Sequence, residues 1–200
     1  PRGGDVLPGT YKGVMSYPGS KNSSVVPVPY APRIEIALEA LEATAALEDA
    51  AGALGAELAK AVSSLVTAEG ILKVNKGLMD ADPRSAEELI VVRDTHKATQ
   101  ESLDALYAHI FGSNDDERQG IVRNPEVTVM SRLYGAGRNL GNDIDGPGAT
   151  EENLLRLARE AVTEAMEKID AFLNQDWPTY EAAVRDANLS PFKSLTGEDN

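Results

Sequence analysis

The sequence predicts a mainly α protein, an elongated four-helix bundle with an N-terminal β-hairpin that completes a β-sandwich formed with other residues. Three observations predict it. From residue 33 onward apolar residues recur with a period near 3.6, the mark of amphipathic helices. Two runs, 10–17 and 25–30, are rich in Val, Tyr and Thr and flank turn-forming residues. Aromatics make up 5% of a chain that is 42% hydrophobic, a balance that suits helices packed through Ala and Leu.

The organisation follows in order. Residues 1–31 form the hairpin, with Leu7-Pro8-Gly9 leading into the first strand and Pro18-Gly19-Ser20-Lys21-Asn22 as the turn. A lone two-stranded hairpin is marginal in water, so its partners are expected outside this stretch. Residues 32–195 form the bundle and 196–200 a frayed tail. The first helix is expected over 33–79, with Gly52, Gly55 and Gly70 either allowing close helix approach or marking a bend. Asp80-Ala81-Asp82-Pro83 breaks the pattern, and a second helix starts there with Asp82 as N-cap and Pro83 at the first helical position. Its seam is Leu89, Val92, His96, Thr99, Leu103, Leu106 and Ile110, spaced alternately by three and four residues. After a polar connection, a third helix is expected from Pro125, packing through Val127, Met130, Leu133, Tyr134 and Leu140. A fourth, capped by Thr150, carries Leu154, Leu157, Ala161, Ala165, Ile169 and Phe172. Pro178 interrupts or kinks it, and a short helix follows over 180–187.

Net charge of -13, from 19 basic and 32 acidic residues without a basic cluster, argues against nucleic acid and anionic membrane surfaces. Cysteine is absent, which removes disulfides, thiolate metal sites and Cys nucleophiles. No apolar run reaches the roughly 18 residues that span a bilayer, and no signal-peptide pattern opens the chain, so no membrane insertion is expected. Starting at Pro1 rather than Met suggests a mature product or a fragment.

No catalytic constellation and no cofactor motif stands out. His96 and His109, the two histidines, lie about 220° apart around a helix and do not face one metal. His96 reads as a hydrogen-bonded interior histidine. Asp143, Asp145 and Glu152, with Gly146 between, match positions 3, 5, 12 and 6 of an EF-hand calcium loop and are the candidate metal ligands. Gly141 at position 1 and Gly148 at position 8 break that pattern, and an acidic interhelical turn accounts for the same residues. Asn114 to Glu117 is another acidic stretch, and Gly135-Ala136-Gly137 lacks the spacing and preceding strand of a phosphate loop. Trp177, Tyr180 and Phe192 read either as a packed cap or as an exposed aromatic patch. With Tyr11, Val14 and Tyr17 of the hairpin they are the candidate interface residues.

A PGTYK strand, a short hairpin, Pro32-Arg33 ahead of a long helix, NPEVTVMSRLYGAG, and WPTYEAAVRDANLSPF near the end together resemble the C-terminal region of bacterial secreted sortilin-like (VPS10, BNR-repeat) β-propeller proteins labelled glycosyl hydrolases. The resemblance implies that the hairpin is the end of an immunoglobulin-like β-sandwich and that the bundle closes a longer protein. It implies an extracellular, periplasmic or cell-surface location in a bacterium. The partner would be the N-terminal remainder of the parent protein or another chain. No active-site residue carries over, because the family's catalytic or ligand surfaces belong to the propeller. The expected function is a non-catalytic structural or interaction module. A small-ligand or metal-binding bundle is the alternative, and part of a polysaccharide-processing enzyme a further one. Strands completed within the same molecule, or left projecting into solvent, would count against the kinship.

Overall fold

A computed structural model describes residues 6–29, 37–112, 127–139 and 146–189. The expectations for Asp143, Asp145, Leu140, Phe192, the acidic stretch from Asn114 and the tail from 196 therefore lie outside the described residues.

Two antiparallel strands open the fold, β1 (Gly9–Tyr17) and β2 (Ser20–Val28), in register from Gly9 opposite Val28 to Tyr17 opposite Ser20. The turn is tighter than the sequence suggested. Proline fixes φ at Pro18 and Gly19 takes φ of 84°, so two residues reverse the chain and Lys21 and Asn22 stay in the ladder. The Tyr11 ring lies along Gly9, and its hydroxyl donates to the Leu7 carbonyl at 2.7 Å.

The helices are α1 (Leu38–Ala81), α2 (Ile90–Phe111), α3 (Val129–Asn139), α4 (Ala149–Ala171) and α5 (Trp177–Asp186). A π turn, Phe172–Asp176, joins α4 to α5 without a break, so the bundle consists of four helical rods. Within it the Trp177 N–H bonds the Phe172 carbonyl, five residues back. The chain thus meets Pro178, which has no N–H to offer, by widening its helix rather than ending it.

Alpha1 has 44 residues and is about 66 Å long at 1.5 Å per residue. Its buried side chains are Leu58, Ala61, Leu65, Ala68, Leu72 and Met79, none of them in its first twenty residues. Its apolar side chains from Leu38 to Leu54 are at best half covered, and Leu38 itself is exposed. Nothing lies within 4 Å of where a Cβ would stand on Gly52, Gly55, Gly70 or Gly77, so none of them permits a close helix approach. Gly70→Ala and Gly77→Ala are accordingly expected to stabilise the fold by roughly 0.5–1 kcal/mol each, read as higher urea midpoints.

Alpha2 begins seven residues beyond Pro83. The Asp82 carboxylate, expected as its cap, instead accepts from the Arg84 backbone N–H at 3.1 Å and from the Arg84 guanidinium at 2.8 and 2.6 Å. Ser85 and Glu88 form a reciprocal capping box, the Ser85 N–H donating to the Glu88 carboxylate and the Glu88 N–H to Ser85 Oγ. The seam of α2 is as the spacing predicts: Leu89, Val92, Thr99, Leu103, Leu106 and Ile110 are buried and His96 is half-buried.

Alpha3 also starts later than expected, after Thr128 and Ser131 cap one another at 2.9 and 3.0 Å. It buries Val129 and Ala136, whereas the expected packing residues Val127 and Tyr134 are 69% and 67% exposed. In α4 the N-cap is Gly148, not Thr150; its N–H donates to the Glu151 carboxylate at 3.0 Å. Fully buried are Leu155, Ala158, Val162, Ala165 and Ile169, so the expected stripe is rotated by one position over its first half.

Directions follow from the contacts at each end. Gly146, at φ of 91°, presses on Ala40 near the start of α1. Ala183, Val184 and Ala187 of α5 pack with Met79 near its end, so α4 and α5 run parallel to α1. Leu89 and Val92 join that same cluster, while Phe111 lies beside Gly55 and Leu58, which makes α2 antiparallel. Alpha3 packs farther along, against the earlier part of α1 and against Leu157 and Ala161 of α4.

Candidate functional site

The hairpin is the part of the fold whose chemistry is left open. The register sorts its side chains onto two faces. Tyr11, Met15 and Tyr17 share one face with Val26 and Val28, and with the small polar residues Ser20, Asn22 and Ser24. Thr10, Lys12, Val14 and Ser16 share the other with Lys21, Ser23, Val25 and Pro27. One face is thus dominated by large apolar groups and the other carries both lysines, the pattern of a sheet buried on one side. Every residue of both strands is exposed except Val28, which is half-buried. Of the candidate interface residues, Tyr11 and Tyr17 share the apolar face and Val14 lies on the opposite one.

At the far end of the bundle the aromatic residues are packed. Tyr180 is only 1% exposed and belongs to the core, the packed cap of the two alternatives, and so presents no surface to a partner. Trp177 is half-buried, its ring 5.6 Å from that of Tyr180 and 6.2 Å from that of Phe172. The Tyr180 hydroxyl is 3.1 Å from His96 Nδ1 and also meets the Asn75 side chain. Seam spacing put His96 inside; its partner, 84 residues away in sequence, had no local signal.

Burial, assisted by the charge of Lys76 and opposed by Asp80, holds the His96 imidazole below its ordinary value of 6.5. The unfolded chain then binds the proton more tightly than the folded one. Stability contributed by neutral His96 is full above pH 6.5 and is lost as pH falls from there through the lower folded value. Urea midpoints should therefore drop as pH falls below about 6.5, and His96→Gln should flatten that part of the profile.

His109 stands apart, 3.5 Å from Lys168 Nζ and 4.0 Å from Glu164 Oε1. Glu152, the one proposed calcium ligand among the described residues, is exposed in the first turn of α4. No group of three or more His, Asp or Glu side chains is arranged to hold a metal ion among the described residues. Burial, together with its hydrogen bond to Glu69 at 3.1 Å, raises the Tyr107 hydroxyl to about 12.

A groove of about 600 Å³ lies between α1, the end of α2 and α3. Its walls are Phe111, Met130, Leu133 and Val62, and its floor is the small residues Ala51, Gly52, Gly55 and Ala59. Sequence reasoning missed it. Phe111, half exposed at the last position of α2, was the available signal.

Neither a family model, nor a curated protein, nor a solved structure matches the chain. Among the described residues, no helix is long and apolar enough to cross a membrane.

Proposed function

We propose that this chain is a non-catalytic interaction module, in which the helical bundle is a self-sufficient body and the hairpin completes a β-structure supplied from elsewhere. The observation that carries it is the contrast between the two parts. The helices bury a core of Leu, Ala, Val and Ile along their length, whereas a nine-residue by nine-residue hairpin with a one-sided apolar face buries almost nothing. Such a hairpin does not hold its shape well alone, and covering Tyr11, Met15 and Tyr17 would gain about 25 cal/mol per Å² of apolar surface.

The finer reading rests on the resemblance alone: the C-terminal module of a secreted or envelope sortilin-like β-propeller protein of a bacterium, outside the cytoplasm. The strands do project into solvent in the chain by itself, which counts against that kinship unless neighbours cover them in the assembled protein. A glycosyl hydrolase activity, if the parent has one, would belong to its propeller and not to these residues.

The test is to read the coding sequence on the N-terminal side of Pro1 and express the longer product. A β-rich stretch there, with slower amide exchange over residues 9–28 than in the 200-residue chain, is the expected result. Unchanged exchange would remove the proposal. The groove favours a second reading, a small-ligand bundle, whose metal-binding form calorimetry with calcium and zinc would remove if neither gave heat nor moved the melting temperature.

A further inference from the structure

The two edges of the hairpin are not equivalent, and the inequality says where a neighbour attaches. A two-residue turn makes the pair that flanks it, Tyr17 and Ser20, a hydrogen-bonded pair. Hydrogen-bonded and open pairs then alternate along an antiparallel ladder. In β1 the odd residues from Gly9 to Tyr17 bond inward to β2. Thr10, Lys12, Val14 and Ser16 point their N–H and C=O groups outward. In β2 the outward residues are Lys21, Ser23, Val25 and Pro27.

Proline has no N–H, so the outer edge of β2 lacks a donor near its base, while that of β1 has every donor and acceptor. The missing donor does not weaken the hairpin, because Pro27 faces Thr10 in an open pair. Lys12 stands in the middle of the complete edge, where a charged side chain discourages unspecific pairing.

We infer that the outer edge of β1, and not that of β2, receives an added strand. This rests on the reading of the hairpin as a docking element, and it names the partner's chemistry: an extended segment with apolar residues at alternate positions, on the side it shares with Tyr11, Met15 and Tyr17. Backbone pairing with Thr10, Lys12, Val14 and Ser16 supplies the attachment and the shared apolar face the selectivity.

The experiment uses the 200-residue chain as its own strand probe. Lys12→Val removes the guard, and sedimentation should show a severalfold gain in self-association. In that background Val14→Pro deletes an outward donor of β1 and should return the chain to monomer. Val25→Pro deletes one of β2 and should not; the two valines lie on the same face, so loss of a side chain is matched. Cross-strand NMR contacts between Tyr11 and Val26 check that the hairpin persists. Should Val14→Pro unfold it, Pro27→Val alone becomes the deciding variant. It restores the donor missing from β2 and should add a second associating edge, turning Lys12→Val dimers into longer assemblies. A monomeric Lys12→Val chain, dispersal by Val25→Pro in place of Val14→Pro, or no effect of Pro27→Val would each overturn the assignment. None of these results would touch the coverage of residues 9–28 in the longer product, which tests the module itself.

Discussion

Replacing Tyr180 by alanine is expected to destabilise the bundle by about 4 kcal/mol, as large aromatic deletions from a packed core do. The side chain is 1% exposed, packs against Trp177 and joins the cluster that includes Phe172, Leu103 and Leu72. Its loss opens a cavity where three rods meet and leaves His96 Nδ1 and the Asn75 side chain without their partner. Tyr180→Phe keeps the ring and should cost only about 1 kcal/mol, the usual worth of one hydrogen bond. Urea unfolding followed by circular dichroism separates the two variants. A Tyr180→Ala chain as stable as the parent would mean that the ring is not the packed cap its burial describes. Because whole domains are stable by only about 5–15 kcal/mol, the alanine variant is expected to lose about a quarter or more of the total.

Arg84→Ala is expected to cost about 3 kcal/mol, the range seen when one partner of a buried ion pair is removed. Arg84 grips the Asp82 carboxylate with two nitrogens, and a third donates to the Ala187 carbonyl at 2.8 Å. One side chain therefore joins the link between α1 and α2 to the end of α5. The Asp82 side chain is 6% exposed and that of Arg84 28%, so truncating the arginine takes the guanidinium from a nearly buried carboxylate and leaves it the backbone N–H of residue 84. Arg84→Lys keeps the charge but not the two-pronged geometry, and should recover only part of the loss. Adding Asp82→Asn to Arg84→Ala should return some stability, since the nearly buried charge that the guanidinium had balanced is then gone. Additive losses in that double mutant, measured by urea midpoints, would show that the pair is not coupled.

How much of this was legible beforehand depends on the kind of force involved. The α2 seam was readable in full because regular burial leaves a regular pattern, and Leu89 through Ile110 keep to it. Helix starts were not. Asp82 and Thr150 both look like caps, but Arg84 takes the Asp82 carboxylate, and the Gly148 N–H pairs with the Glu151 carboxylate, which sets the start of α4 at Gly148. Alpha3 was misread because an eleven-residue helix with two internal glycines gives too few turns to fix a phase, so Tyr134 was placed inside when it faces out. In α4, adjacent pairs such as Leu154 and Leu155 fit two stripes equally, and only the neighbouring helices choose. The separation of Tyr11 and Tyr17 from Val14 follows from the period of two within one strand, whereas the β2 residues that join each face are fixed by the two-residue turn. For the groove the sequence held a single signal, Phe111 at the end of α2, since the space is made by what three helices fail to fill.

The uneven cover along α1 has a consequence for how the molecule comes apart. All six of its fully buried side chains lie from Leu58 onward, and its first turn has no side-chain cap. The rod is therefore clamped at one end and loosely held at the other. On warming, its leading twenty or so residues should melt as a separate, earlier event, a soft zone beside a hard one. Any force applied through the strands would reach that soft zone first, giving the chain an extensible link before its core begins to yield.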